Sequence, residues 1–163
     1  MRKRGLIAGA VGVTVVTAAA LRGVLRRFAI EEASMAPALE PGDWVVARRR
    51  TGDLERGDVV VFRDPAETGM NLVKRVVGLS GETIGVESGR VTIDGALLAD
   101  RWANGLTKPD GTWEVPDGHV WLLGDNRGAS ASDGRTLGPI YTDDIGWIVV
   151  ARYWPTSRAG AVA

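Results

Sequence analysis

The sequence contains no cysteine and only one histidine among its 163 residues. Without cysteine there is no disulfide framework, no thiolate nucleophile and no cysteine-ligated zinc site. The single histidine, His119, cannot build a histidine-rich metal site, and the sequence predicts no metal or other cofactor. His119 is the first candidate for the base of a Ser-His-Asp triad. Its place at the entry of an apolar strand nevertheless favours an ordinary strand-edge side chain.

An excess of charge of either sign is also lacking, because 20 Lys and Arg residues balance 20 Asp and Glu residues. This balance argues against a broadly basic nucleic-acid-binding protein, and 45% hydrophobic residues argue against intrinsic disorder. The neutrality hides a division of the chain. Residues 1–27 carry six basic side chains and no acid, which leaves 14 basic and 20 acidic residues, a net charge of −6, in residues 28–163.

The amino-terminal part contains Gly5–Leu21, a run of 17 residues without a charge between two basic groups. As a helix it spans about 26 Å, slightly less than the ~30 Å hydrocarbon core of a bilayer. The segment is typical of a single membrane anchor. Its short length and the sequence Ala18-Ala19-Ala20 also fit a cleavable signal peptide. From these residues alone both interpretations stay open.

The rest of the chain consists of short apolar runs between turn signals such as Pro41-Gly42-Asp43 and Asp94-Gly95. This pattern predicts a mainly β body, an antiparallel barrel or sandwich. Residues 95–118 are the least regular part and are predicted to form an insertion or small subdomain. The predicted strands are Phe28–Ile30, Trp44–Ala47, Val59–Phe62, Leu72–Leu79, Thr83–Val86, Arg90–Ile93, Val120–Leu123 and Gly146–Tyr153.

Lysine is scarce as well, since the chain has three lysines and 17 arginines. Lys74 lies in the middle of a β-branched run, where burial is expected, whereas the other two lie in the amino-terminal segment and in a Pro/Gly loop. A buried lysine can lose its proton and act as a base, which arginine cannot do. The alternative is an edge-strand lysine with its amine in water. Ser34, before a turn made rigid by Pro37, is a candidate nucleophile.

Four motifs taken together resemble bacterial type I signal peptidases, which are membrane-bound serine–lysine proteases. They occur in family order and cover about residues 30–155. They are Ser34-Met35-x-Pro37-x-Leu39, Gly42-Asp43-Trp44-Val45-Val46, Val73-Lys74-Arg75-Val76-Val77-Gly78-Leu79-x-Gly81-Glu82 and Gly124-Asp125-Asn126-Arg127, the last followed by Ser130 and by Asp133-x-Arg135-x-x-Gly138-x-Ile140.

The resemblance implies an architecture and a location. It implies a signal-peptidase-like antiparallel β body with a single amino-terminal transmembrane helix, which favours the anchor interpretation of the first segment. Residues 1–27 are then a cytoplasmic basic tip and a membrane anchor helix. Residues 28–163 are the protease body on the outer face of the plasma membrane.

The same resemblance implies roles for individual residues. Ser34 is the nucleophile, Lys74 its general base, and the Ser34 N–H part of the oxyanion hole. The hydroxyl of Ser130 orients the Lys74 amine. The side chains that support the site are Asp125, Asn126, Arg127, Asp133 and Arg135.

Three departures from the family pattern affect these expectations. The last motif is one residue longer than usual, which leaves Ser132 as the alternative to Ser130. Glu32 stands where the family has Ser or Gly, and because a carboxylate repels an oxyanion we expect it to point outward. Ser80 replaces a proline, which affects only a turn.

The implied reaction is the removal of signal peptides from secretory precursors after A-x-A-like sites. The resemblance implies that the peptide binds as an added β-strand beside Phe28–Ala33 or beside the strand of Lys74. The lipid bilayer is the other expected partner, with Trp44 as a candidate for lipid contact, and no nucleic acid is expected. The alternatives are a dedicated maturation protease for one or few precursors and a non-catalytic membrane-anchored β module.

Overall fold

The computed structural model describes residues 23–65 and 70–162. Within these ranges the chain is mainly β, as the sequence predicts, with a short helix α1 (Gly134–Leu137). The strands are β1 (Leu25–Ala29), β2 (Trp44–Arg49), β3 (Val59–Arg63), β4 (Asn71–Gly78), β5 (Thr83–Glu87), β6 (Arg90–Ile93), β7 (Ala96–Leu97), β8 (Gly111–Glu114), β9 (His119–Leu123), β10 (Ile140–Tyr141), β11 (Ile145–Trp154) and β12 (Gly160–Ala161).

The larger of the two sheets has the strand order β1-β2-β11-β3-β4-β9-β10, and β12 pairs with β11. All of its pairs are antiparallel. Its two ends, β1 and β10, do not pair with each other in the described ranges, so the sheet stays open and the barrel alternative is not realised. The two-residue β10 offers too few backbone groups to close it.

β3 shows why this sheet forms where it does. Its first four residues, Val59–Phe62, are all buried, a run typical of a central strand covered on both faces. Val60 and Phe62 pack into one apolar cluster with Val76, Leu122 and Ile148, whereas Val59 and Val61 pack into another with Phe28, Met35 and Leu39. The β-branched run therefore supplies both halves of the core.

The smaller sheet has the order β7-β6-β5-β8. It packs on the larger sheet through a third cluster, in which Ile84, Val86 and Val91 meet Val77 and the fully buried Trp121. The irregular region predicted at residues 95–118 contains β7 and β8, and these strands join the predicted strands β5 and β6. The separate unit therefore starts at β5 and not at residue 95.

The start of the described chain corrects one predicted boundary. Residues 25–27, assigned from the sequence to the anchor helix, form β1 and pair with β2, Arg27 opposite Val46. Phe28 is buried in the core and holds this segment against the sheet. Gly5–Leu21, the predicted membrane segment, lies outside the described residues. Among the residues described, no helix has the length and apolar character needed to cross a bilayer.

Candidate active site

Ser34 lies in a short 3-10 turn, Ala33–Met35, which follows β1. Met35 and Leu39 are buried in the core and anchor this turn. Ala36 has extended backbone angles, φ −68° and ψ 142°, as expected for the residue before Pro37. Ser34 itself is 6% exposed. The sequence between β1 and β2 therefore places Ser34 in a turn that is anchored to the core.

Lys74 lies on β4, opposite Val60 of the central strand β3. The side chain is buried, with 2% exposure, so the alternative of an edge lysine with its amine in water is wrong. Its Nζ donates a hydrogen bond to Ser34 Oγ at 2.9 Å. The fold thus brings the Ser34 hydroxyl and the Lys74 amine, 40 positions apart in the chain, into hydrogen-bond contact.

Burial lowers the pKa of the Lys74 amine below its ordinary value, because desolvation penalises the charged form. The carboxylates of Asp133, Glu32 and Asp64 act in the opposite direction, and the Arg135 guanidinium acts with burial. Desolvation is the largest of these influences, and the net direction is downward. The neutral amine, the form that accepts a proton, is therefore favoured relative to a lysine in water.

The loop after β9 holds the backbone of the Ser34 turn. The N–H of Asn126 donates to the Ser34 carbonyl oxygen at 3.0 Å, and the Asn126 side-chain amide donates to the Ala33 carbonyl oxygen at 3.2 Å. Gly124 lies between the two segments, where a Cβ would collide with the Ser130 side chain and lie 2.6 Å from the Ser34 carbonyl oxygen. Only glycine allows this close approach.

A buried ion pair connects this loop to β4. Arg75, the neighbour of Lys74, donates two hydrogen bonds to the Asp125 carboxylate, at 2.8 and 2.7 Å, and both side chains are 1% exposed. Burial raises the pKa of the Asp125 carboxyl, and the hydrogen bonds and charge of Arg75 offset part of that rise. The guanidinium also lies over the Trp102 ring, 5.0 Å from its centroid.

Arg127 connects the loop to the region of the smaller sheet. Its guanidinium is buried and contacts Asp100 at 2.7 Å, and it donates to the Thr107 hydroxyl at 2.7 Å and to the Gly124 carbonyl oxygen at 3.0 Å. The Thr107 N–H in turn donates to the Gly89 carbonyl oxygen, between β5 and β6. The smaller sheet therefore helps to hold the loop that supports Ser34.

Asp133 is the centre of the last polar group. It accepts two hydrogen bonds from the Arg135 guanidinium, at 2.9 and 2.8 Å, one from the Ser130 hydroxyl at 2.6 Å and one from the Gly124 N–H at 3.2 Å. Burial alone raises the pKa of this carboxyl, but the hydrogen bonds from Arg135, Ser130 and the Gly124 N–H, together with the charge of Arg135, bring the pKa below its ordinary value. Asp133 is therefore an anion close to Lys74.

The predicted hydrogen bond between Ser130 and the Lys74 amine is not found among the described residues. The Ser130 hydroxyl donates instead to Asp133, because an ionised carboxylate is a strong acceptor and lies three residues away. Of the two serines considered, Ser130 is buried against Gly124, whereas Ser132 is only half-buried. The role of Ser130 in orienting the lysine stays a prediction.

A groove of about 400 Å³ opens beside Ser34 and Lys74. One wall is the segment from β1 to the Ser34 turn, residues 27–32, and the other is the first half of β4 with Met70. Glu32 lines the groove and is exposed, so its side chain faces solvent at the groove. Arg27, Glu31 and Asn71 are the other polar side chains of this lining.

His119 lies at the start of β9, whereas Gly124, which contacts the Ser34 turn, follows the other end of the strand. Its Nδ1 contacts the Asp117 carbonyl oxygen at 2.9 Å and its ring lies against Tyr141. These contacts agree with the strand-edge interpretation and with no part in a triad.

The sequence reasoning missed three residues that support the site: Arg75, Asp100 and Thr107. Arg75 stood inside a quoted motif, but its partner Asp125 is 50 residues away, and no local pattern links the two. Asp100 and Thr107 fall in the region described from sequence only as an insertion. One signal was Arg75 itself, which stands beside Lys74 in a run where burial is expected and therefore needs an anionic partner.

Comparisons with known proteins identify close similarities over most of the chain. The family model described as "Signal peptidase, peptidase S26" matches residues 4–154. Signal peptidase I of Leptolyngbya laminosa is 34% identical over 92% of this chain and 79% of that protein. Signal peptidase I of Pseudomonas fluorescens is 30% identical over 74% of this chain, but the match spans only 58% of that longer relative.

The fold has a counterpart among solved structures. The crystal structure of a signal peptidase I from Enterococcus faecalis V583 matches with a TM-score of 0.53 at 25% sequence identity. The match covers 61% of this chain and 98% of that chain.

Proposed function

The chain belongs to the peptidase S26 family of signal peptidases, and we propose that it is a serine endopeptidase that cleaves signal peptides from exported precursors. Ser34 is the nucleophile and Lys74 the general base. Cleavage follows A-x-A-like sites, with small residues at positions −1 and −3. The reaction uses no cofactor, because the hydroxyl and the amine supply both the nucleophile and the base.

The observation that carries the proposal is the 2.9 Å contact between Lys74 Nζ and Ser34 Oγ. A general base must lie within hydrogen-bond reach of the proton that it removes, and this distance meets that requirement. Burial lowers the pKa of the same amine, which favours its neutral, proton-accepting form relative to a lysine in water. The proposed role also explains why this position holds a lysine in a chain that otherwise uses arginine, because only lysine can lose its proton and act as a base.

Acylation begins when the neutral Lys74 amine takes the proton from the Ser34 hydroxyl. The Ser34 Oγ attacks the carbonyl carbon of residue −1, and the carbonyl oxygen becomes an oxyanion that accepts a hydrogen bond from the Ser34 N–H. The carbon–nitrogen bond then breaks. The Lys74 ammonium gives its proton to the leaving amine of residue +1, which leaves the signal peptide as an ester on Ser34.

Deacylation repeats these steps with water. The neutral amine of Lys74 takes a proton from a water molecule as its oxygen attacks the ester carbonyl. The second tetrahedral intermediate breaks the bond to Ser34 Oγ, which recovers its proton from Lys74. Asp133 and the Asp125–Arg75 pair keep the loop and the lysine in place through these steps, and Ser130 acts through its hydrogen bond to Asp133.

The groove fits a substrate bound as an added strand. In the described ranges β1 pairs with β2 alone, and Asn71–Lys74 pair with β3 alone because pairing with β9 begins at Arg75. Each wall of the groove therefore presents one strand edge with unpaired backbone groups. An extended peptide between the two edges has partners for its own N–H and C=O groups, and its scissile carbonyl passes Ser34.

Membrane anchoring belongs to the same proposal. The uncharged segment Gly5–Leu21 is proposed to cross the plasma membrane once, with the basic residues before it in the cytoplasm and the body outside. On the body, Trp44 and Trp154 lie opposite each other on β2 and β11 and are 43% and 53% exposed. Paired exposed tryptophans suit the interfacial region of a bilayer.

The test is cleavage of a purified precursor whose signal peptide ends in A-x-A, with the full chain reconstituted in detergent. The variants Ser34→Ala and Lys74→Arg are compared with wild type and with Ser157→Ala, a control at an exposed serine that is not part of the groove lining. Arginine keeps the charge and much of the length of lysine but cannot give up its proton. We expect a loss of at least 10³-fold in kcat for the two site variants and no change for the control.

Each outcome separates the alternatives. If Ser34→Ala and Lys74→Arg cleave as well as wild type, the Ser34/Lys74 assignment is wrong. If wild type cleaves a precursor encoded next to it but no generic precursor, it is a dedicated maturation protease. If the folded wild-type chain binds precursors yet cleaves none of them, it is a non-catalytic module.

A further inference from the structure

Glu32 is a charged side chain in the groove that the mechanism does not use. It follows β1 in extended conformation, with φ −113° and ψ 157°, two residues before Ser34. The side chain is exposed and lines the groove together with Ser34 and Lys74. Within residues 23–65 and 70–162 its carboxylate forms no salt bridge. It is therefore available to a ligand in the groove.

The charge of Glu32 acts at the reacting atoms. Glu32 stands directly before the turn Ala33–Met35 and lines the same groove as Ser34 and Lys74, so its carboxylate lies within the reach of side chains that flank a bond held at Ser34. Its influence on Lys74 supports this placement independently, since Glu32 is one of four charged groups that act on the pKa of that amine, with Asp133, Arg135 and Asp64. A charge that acts on Lys74 also acts on a substrate beside it.

We propose that Glu32 is a specificity-determining residue, which favours precursors with lysine or arginine within two residues of the scissile bond and disfavours those with an acidic residue there. This inference rests on the proposed function and adds a charge preference to its small-residue specificity. The substrate's ammonium or guanidinium group pairs with the Glu32 carboxylate. An acidic side chain at the same place meets a like charge at the groove.

The expected size of the preference follows from the geometry. A carboxylate and a cation at about 4–6 Å attract by more than in bulk water, because the bound peptide excludes solvent from part of the groove. A preference of about tenfold in kcat/KM for Lys over Glu is the expected order. Salt reduces an exposed interaction of this kind, so the preference shrinks as ionic strength rises.

The effect of Glu32 on the substrate must be distinguished from that of its neighbour Glu31. It also lines the groove, but successive side chains of an extended segment point to opposite sides. Only one of the two carboxylates therefore faces a given side chain of the substrate. Glu32 is the assigned one because it directly precedes the turn that carries Ser34, and its charge also acts on Lys74.

The experiment uses A-x-A precursor peptides that carry Lys, Gln or Glu at position −2, +1 or +2, one position at a time. We measure kcat/KM with the full-length wild type, Glu32→Gln, Glu31→Gln and Glu87→Gln, the last a control at an exposed glutamate on β5. At one position or more, wild type and Glu87→Gln are expected to prefer Lys over Glu about tenfold. In Glu32→Gln the ratio falls to within twofold of one.

A ratio unchanged by Glu32→Gln at all three positions overturns the inference, as does a ratio abolished by Glu31→Gln alone. These failures leave the proposed function intact, because every peptide is still cleaved through Ser34. The reverse case is equally clear: cleavage by Ser34→Ala overturns the proposed function whatever the charge preference. The Gln peptides show whether the variant has kept its basal activity, which separates lost specificity from lost folding.

Discussion

At the scale of single residues, burial and neighbouring charge act on the Lys74 amine in opposite directions. Burial lowers its pKa, and Asp133 and Glu32 raise it, with burial the larger influence. An arginine at this place stays charged whatever its surroundings, so the balance has chemical use only for lysine. The hydrogen bond from Lys74 Nζ to Ser34 Oγ places the amine in contact with the serine hydroxyl.

The first prediction concerns the pH dependence of cleavage. A lysine is neutral above its pKa, so kcat/KM should rise with pH until the Lys74 pKa is passed and fall about tenfold per pH unit below it. Because that pKa lies below the ordinary value for lysine, the rise should level off before pH 10.5. Peptide cleavage is measured across this range, and tryptophan fluorescence at each pH shows that the protein remains folded. A profile that stays flat from mildly acidic to alkaline pH contradicts a lysine base.

At the residue scale, the burial of Lys74 could be predicted from the local sequence. Lys74 was separated from 17 arginines by its residue type and from the other lysines by its β-branched surroundings. Its contact with Ser34 depends on where three distant segments meet, namely the Ser34 turn, β4 and the loop after β9. The bond from Ser130 to Asp133 joins residues three positions apart, but the additional residue in the motif left both Ser130 and Ser132 as candidates for the expected hydroxyl.

At the scale of elements, the loop after β9 decides where Ser34 stands. It receives Arg75 from β4 and contacts the Ser34 turn through Asn126. Gly124 makes the closest approach, with Ser130 on one side and the Ser34 carbonyl on the other. The loop therefore has a steric requirement in addition to its hydrogen bonds.

The second prediction tests that requirement. In Gly124→Ala the new methyl group has no space, so either the Ser34 turn or Ser130 must move. We expect kcat to fall at least 10²-fold, since small displacements of positioned groups are costly in catalysis. The free energy of unfolding should fall by about 1–3 kcal/mol, the usual cost of overpacking. Urea unfolding and peptide cleavage are measured on the same preparations.

Gly128 supplies the matched control in the same loop. A Cβ there meets nothing within 4 Å, so Gly128→Ala should leave kcat unchanged. If Gly124→Ala keeps wild-type activity, the close approach has no part in placing Ser34. If both variants lose activity equally, general sensitivity of the loop is the cause instead.

Element-scale prediction worked for long strands and failed for short ones. All eight predicted strands are present, because runs such as Val59–Phe62 have both β propensity and burial. β8 was missed since its sequence, Gly-Thr-Trp-Glu, has one apolar residue, and β7 and β10 have two residues each. These short strands form through pairing with neighbours, which a single sequence does not display.

At the scale of the whole molecule, the change in net charge after residue 27 does not mark where the β body begins. The sequence predicts that residues 1–27 form one basic and apolar anchor unit. Residues 25–27 instead belong to β1 and form part of the larger sheet. Arg26 lies over the rings of Phe28 and Trp147, so part of the second basic group packs on the body. The body therefore begins before residue 28.

The last prediction follows from this boundary. Removing residues 1–22 leaves β1 complete, so the truncated chain should fold, cleave A-x-A peptides with kcat/KM within about twofold of wild type, and no longer sediment with carbonate-washed membranes. Removing residues 1–29 also deletes β1 and the buried Phe28, at a cost of about 3 kcal/mol or more in the free energy of unfolding. Sedimentation, urea unfolding and cleavage are measured for both. Membrane retention of the shorter deletion contradicts the proposed anchor, and equal stability of the two contradicts a structural role for β1.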